Sequence, residues 1–228
     1  MNDTKQHSNG NGFGWRWWPF WRRAHESDDS APYRRLALQL HYDLCRPDNP
    51  RSVLLVTPNP SRLCAYGSAT LACCLADELR RPILLVDACP AAPEASRMLG
   101  SAAIRGFSDL LLTPSLPWDD LVLPTSHENV WFLPAGATVG PSQAAPPEHI
   151  VAVLKAAEAR YDFVLVCGGS VLSNTMALAV VPYVGCVLLL AIENQTRVED
   201  LDAAQETLQF CKASKVGLVF TTILRGGR

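Results

Sequence analysis

The sequence predicts an α/β fold, a doubly wound and mostly parallel sheet behind a disordered N-terminal tail. Three observations carry that expectation. Short apolar runs recur along the chain: VLLVT (53–57), ILLVD (83–87), VWFLPAG (130–136), DFVLVC (162–167), GCVLLLAI (185–192) and VGLVFTT (216–222). Runs without alternation belong to strands covered on both faces. Segments with apolar residues at helical spacing separate them, and strands alternating with helices assemble into parallel sheets. Residues 53–89 hold one complete repeat of strand, turn-prone loop, helix and strand, the right-handed βαβ unit.

Composition bounds the rest. The 228 residues suit one domain, residues 31–228, preceded by a tail of residues 1–30. A hydrophobic content of 48% with 18% charge is that of a globular core, and a net charge of −2 makes no case for nucleic acid. None of the eight cysteines forms a CxxC pair and several fall inside apolar runs, so reduced, buried thiols are expected and no metal cluster. No cleavable signal peptide is expected. The longest apolar stretch, 176–192, is interrupted by Pro182 and Gly185, and reads as a helix end, a turn and a core strand rather than a membrane span.

Taken in order, residues 1–12 are polar and glycine-rich. The segment FGWRWWPFWRR (13–23) then gathers four tryptophans, two phenylalanines and three arginines with no acid. Tryptophan suits the level of lipid headgroups and arginine pairs with anionic lipid. Trp15, Arg16, Trp17, Trp18, Trp21, Arg22 and Arg23 are therefore expected to contact a membrane surface or a partner protein. Docking on the protein's own surface stays open, and Pro19 argues against one uninterrupted helix. PYRRLALQLHYDLC reads as a helix with Leu36, Leu40 and Leu44 on one face. AAPEASRMLG and GFSDLLL read as short helical pieces, LTPSLPWDDLVLPTSHEN as a loop, and PEHIVAVLKAAEARYD and VEDLDAAQETLQFCK as helices.

The loop after the first strand carries the sharpest question, because a loop running into a helix N-terminus is where phosphates bind. A phosphate loop needs G-x-x-x-x-G-K-[ST]. Gly67 is read as its second glycine, immediately before a helix through Leu71, Leu75 and Leu79. Arg62 stands where the first glycine belongs, Ser68 where the lysine belongs and Ala69 where the hydroxyl belongs; Thr70 keeps a hydroxyl one residue later. On spacing alone, an ordinary βα turn is an equal alternative. Any ligand crevice is expected at the loops after Thr57, Asp87 and Cys167.

The order of these phrases resembles the cytoplasmic domain of bacterial tyrosine kinases (BY-kinases), MinD/ParA-like P-loop ATPases that partner polysaccharide co-polymerases. PYRRLALQL resembles that family's first helix. GSATLACCLADELRRPILLVDACP resembles its G-K-S-T-T segment and following V-D-x-D, and WFLPAG its L-P-A-G loop. YDFVLVCGGSV resembles the segment that carries the Walker-B aspartate. The resemblance implies a P-loop NTPase-like fold over most of residues 31–222 and a role in exopolysaccharide or capsule export. The departures fall on the chemistry. Ser68 replaces the lysine, Cys89 the second aspartate of V-D-x-D and Cys167 the Walker-B aspartate. Ala31 and Ala37 stand where the family's ring-forming glutamate and second arginine sit, and a tyrosine-rich tail is not expected.

These departures imply a catalytically inactive scaffold or regulator, cytoplasmic and peripheral at the inner membrane. Its expected partner is a polysaccharide co-polymerase or another inner-membrane export protein, with no cofactor and no catalytic residue. Two alternatives stand beside it. One is a divergent ATPase or tyrosine kinase holding ATP and magnesium through Gly67, Ser68, Thr70 and Asp87, with Arg62 supplying positive charge. The other is a MinD/ParA-like positioning protein. Asp87 is expected to cap the turn after its strand rather than hold magnesium. His25, His127 and His149 are expected to be solvated, Ser170 to lack a base, and Asp119–Asp120 and Glu199–Asp200 to face solvent.

Overall fold

Alternation along the strands divides the core in two. In the first strand, β1 (Ser52–Thr57), Val53 and Leu55 point to one face of the sheet while Leu54 and Val56 point to the other. The same division holds in β2 (Ile83–Asp87) and β5 (Phe163–Ser170), whose side chains are buried on both faces. The computed structural model describes residues 31–44, 49–102, 104–136 and 145–221. The tail, with Trp15, Arg16, Trp17, Trp18, Trp21, Arg22 and Arg23, lies outside the described residues, as do His25 and Cys45.

Among the described residues seven strands form one sheet in the order β3-β4-β2-β5-β1-β6-β7. All neighbours are parallel except the edge strand β3 (Leu123–Pro124), which runs antiparallel to β4 (Val130–Leu133). Beyond β1 lie β6 (Cys186–Ile192) and the edge strand β7 (Val216–Thr221). Helices α1 (Ala31–Leu44), α2 (Arg62–Leu79) and α3 (Glu94–Met98) cover one face. The other face is covered by α4 (Phe107–Leu112), α5 (Pro147–Glu158), α6 (Thr175–Val180) and α7 (Val198–Phe210). The doubly wound, mostly parallel sheet expected from the sequence is therefore present.

Local differences from expectation have local causes. β3 lies inside the segment read as a loop. It is two residues long and includes Pro124, which an edge strand tolerates because one side of its backbone needs no partner. β5 runs past Cys167 to Ser170, because a bulge between Cys167 and Ser170 fits one extra residue of β5 opposite Leu55–Thr57 of β1. Gly169 makes that bulge possible. Its φ is +63°, and a Cβ there would stand 3.0 Å from Cys89 Sγ. The stretch 176–192 is the expected helix end, turn and core strand. Among the described residues no helix is long and apolar enough to cross a membrane.

Candidate functional site

In the strand order β1 connects toward β2 on one side and β5 toward β6 on the other, and open α/β sheets bind ligands beyond the carboxyl ends of their strands at such a switch point. A cleft of about 250 Å³ opens there. Ser61, Arg62, Cys64, Asp87, Cys89 and Cys167 are among its walls. The sheet register sets Asp87 of β2 directly beside Cys167 of β5, and Cys167 beside Leu55 of β1, all facing α2. The crevice therefore lies at the loops the sequence marked.

What lies over those strand ends is helix rather than loop. Ser61 adopts an extended conformation and caps α2, its Oγ accepting from Leu63 N at 3.2 Å and its carbonyl from Cys64 N at 3.3 Å. The helix then runs unbroken for 18 residues. The expectation that it starts after Gly67 is corrected: residues 62–66 precede that glycine within the helix. Those five residues lengthen it by about 7.5 Å at 1.5 Å per residue. The cause is visible in the packing, since Cys64 and Ala65 continue upstream the buried stripe of Ser68, Ala69, Ala72 and Ala76.

Gly67 and Ser68 are accordingly buried inside the helix. Ser68 Oγ donates back to Cys64 O at 2.8 Å, and Thr70 lies half-buried two residues on. Arg62, at the rim, is largely exposed, with Nε 3.5 Å from Glu94 Oε2, and Glu94 also holds Arg97. Of the residues suggested for nucleotide, Asp87 lines the cleft, whereas Gly67, Ser68 and Thr70 are not among its walls.

Asp87 is fully buried and its carboxylate is occupied. Oδ1 accepts from Cys89 N at 3.1 Å; Oδ2 accepts from Ser96 N and Ser96 Oγ, both at 2.8 Å. Ser96 Oγ in turn accepts from Ala135 N at 3.0 Å, so one acid ties β2 to α3 and to the end of β4. The expectation of an acid capping the turn after its strand matches this geometry. Burial pushes its pKa up to about 6, against the opposing pull of the bonds from Ser96 and Cys89.

Sequence reasoning missed Asn174. Its Nδ2 donates to Ala88 O at 2.9 Å and Gly168 O at 2.7 Å, while its Oδ1 accepts from Met176 N at 3.1 Å. It clamps the ends of β2 and β5 and caps α6. Only its place before an apolar helical stretch signalled the cap. Ser170 Oγ donates to Pro58 O at 2.7 Å. The histidine expectations are corrected. His127, with a side chain only 12% exposed, sets Nε2 3.3 Å from Asp77 Oδ1, and His149 Nδ1 lies 2.8 Å from Leu111 O. Both pairings join segments distant in sequence. Asp119, Asp120 and Glu199 are exposed as expected, while Asp200 accepts from Asn59 Nδ2 at 2.7 Å.

The site does not fit a magnesium nucleotide. Phosphates need free loop amides and a cation; here the first-turn amides of Leu63 and Cys64 are bonded to Ser61, and a buried serine occupies the lysine position. Magnesium needs carboxylate oxygen, but the Walker-B position is the thiol Cys167 and Asp87 accepts three protein donors. Among the described residues no group of three or more His, Cys, Asp or Glu could hold a metal ion.

Two tests follow from this geometry. In a phosphate loop the second glycine permits close backbone approach, so a methyl there would be harmful. A Cβ at Gly67 instead meets Tyr33 Oη at 3.4 Å, Leu190 Cδ2 at 3.7 Å and Leu55 Cδ2 at 3.8 Å, ordinary contacts within a helix. Gly67→Ala is expected to stabilise the fold by about 0.5–1 kcal/mol, read as a higher urea midpoint. The folded-state pKa of Asp87 lies above its usual 3.8. Its contribution to stability is therefore fully present below about pH 4, falls as pH rises to about 6 and is level above, on the order of 3 kcal/mol in total. Urea titrations across that window should lose this slope in Asp87→Asn.

No family model matches the chain, and no curated protein matches it. Solved structures do. The chimerical protein CapA2B2 shares 20% identity, with a TM-score of 0.72 over 88% of this chain and 89% of that one. The kinase domain of Escherichia coli tyrosine kinase ETK shares 16%, with a TM-score of 0.75 over 91% and 82%. The cell-division protein MinD of Aquifex aeolicus shares 14%, with a TM-score of 0.57 over 75% and 68%. The element order, the parallel sheet and these superpositions agree: the chain has the P-loop NTPase-like fold of bacterial tyrosine kinase domains and MinD-like ATPases.

Proposed function

We propose that this chain is a catalytically inactive, BY-kinase-like scaffold or regulator of exopolysaccharide or capsule synthesis and export. One observation carries the reading. Where a phosphate loop would wrap its ligand, the backbone is already helical from Arg62, with Ser68 turned back onto Cys64 O. Phosphoryl transfer depends on positioning and charge neutralisation. Among the described residues no lysine lines the cleft to supply them; its charged walls are Arg62, Asp87 and Glu94, and Glu94 is paired with Arg62 and Arg97. Arg62 lies against Glu94, and Asp87 is spent on the turn.

The polysaccharide context rests on the sequence resemblance, and the fold likeness to tyrosine kinase domains supports it. In this reading the protein works at the cytoplasmic face of the inner membrane. The tryptophan- and arginine-rich residues 13–23 hold it to the lipid surface or to a polysaccharide co-polymerase or other export protein.

Calorimetric titration of the purified protein with ADP and ATP, with and without magnesium, should show no binding up to millimolar nucleotide. Micromolar, magnesium-dependent binding would replace the scaffold with the divergent ATPase reading. Deleting residues 1–24 should release the protein from inner-membrane vesicles in a sedimentation assay and leave its melting transition in place. A truncated chain that still sediments would remove the tail from the anchoring role.

A further inference from the structure

The floor of the cleft carries chemistry that a scaffold does not use. Cys167, at the end of β5, donates its S–H toward Cys64 Sγ at 3.7 Å, and Cys64 donates to Leu55 O at 3.3 Å. The two sulfurs belong to different elements and to residues 103 positions apart. Both side chains line the cleft, yet Cys64 is 1% exposed and Cys167 3%. A solute the size of water or peroxide meets them there, while a bulky reagent does not.

The geometry points to Cys64 and Cys167 as an oxidisable dithiol, a modification site that closes reversibly to a disulfide on contact with hydrogen peroxide or a small organic hydroperoxide. Bond formation needs the sulfurs to approach to about 2.05 Å. Side-chain rotation and a small shift of the first turn of α2 supply that movement. Cys64 sits at the third residue of α2. Negative charge developing on its sulfur meets the positive end of the helix and the S–H of Cys167.

Cys64 sulfur attacks one peroxide oxygen, the O–O bond breaks, and the departing oxygen takes the Cys64 proton and leaves as water (or as the alcohol from a hydroperoxide). Cys64 is then a sulfenic acid. Cys167 sulfur displaces the hydroxyl from it, the S–S bond forms, and the hydroxide leaves with the Cys167 proton as water. Two thiols give up two electrons and the O–O bond accepts them. The hydrogen bond to Cys64, together with burial, pushes the Cys167 thiol well up, which disfavours Cys167 as the sulfur that attacks peroxide first. The product pins the first turn of α2 to the central strand across the cleft floor. A reductant such as dithiothreitol restores both thiols.

The test uses the full chain, reduced and then treated with hydrogen peroxide, alkylated and digested with trypsin. The expected product is one linked pair, residues 63–80 with residues 161–197, whose fragment ions place the bond at Cys64 and Cys167 and whose mass reflects the loss of two hydrogens. The oxidised protein should melt higher than the reduced one, and dithiothreitol should reverse both changes. Cys64→Ser and Cys167→Ser should each lose the link and the thermal shift, whereas Cys89→Ser should keep both. Should a serine variant fail to fold, the linked peptide in the wild-type chain decides the question. The proposal is overturned if both thiols stay free, if either goes to sulfinic acid without a link, or if the bond forms instead through Cys89, Cys73 or Cys74.

Discussion

Ser61 caps a helix that starts at Arg62, and the character of the sheet's carboxyl edge depends on that cap. An extended Ser61 satisfies the amides of Leu63 and Cys64, so the first turn needs no ligand to complete it. A phosphate loop leaves such amides unpaired until an anion arrives. Here they are paired within the chain, and the helix carries Cys64 and Ala65 onto the strands below. Opening residues 62–66 into a phosphate loop would break the hydrogen bonds of that turn and lift Cys64 and Ala65 off the strands.

The second constraint is the treatment of the acid that is left. Asp87 is held under a lid of donors from Cys89 and Ser96, and the Ser96 hydroxyl passes the connection on to Ala135. Asn174 does comparable work from the opposite layer, joining Ala88 to Gly168. These bonds run between strand ends and helices rather than toward the open cleft. Polar groups that a nucleotide would use are thus consumed in fastening the two helical layers to the sheet. The thiols of Cys64 and Cys167 fill the remaining floor with sulfur in place of charge.

Much of this was legible from residue pattern. Unbroken apolar runs such as ILLVD and FVLVC belong to strands buried on both faces, which only a doubly wound sheet provides. The crevice followed from topology, since Asp87 and Cys167 end adjacent strands. The start of α2 was misplaced because Gly67 drew the boundary to itself, although the buried stripe already ran through Cys64 and Ala65. A glycine is a weaker stop than a continuous apolar face is a reason to go on. The partners of His127 and His149 were not legible at all, because Asp77 and Leu111 lie far from them along the chain.

By itself, then, the sequence determined the fold class, the two-sided core and the loss of the lysine and the second acid, because these depend on residue type and on periodicity along the chain. Tertiary structure alone decided that Gly67 and Ser68 lie inside a helix, that Asp87 is spent on Ser96 and Cys89, and that Cys64 meets Cys167. Hydrogen bonds and sulfur contacts between residues as far apart as Cys64 and Cys167 are set by strand register and by how α2 lies across the sheet. No local pattern encodes either.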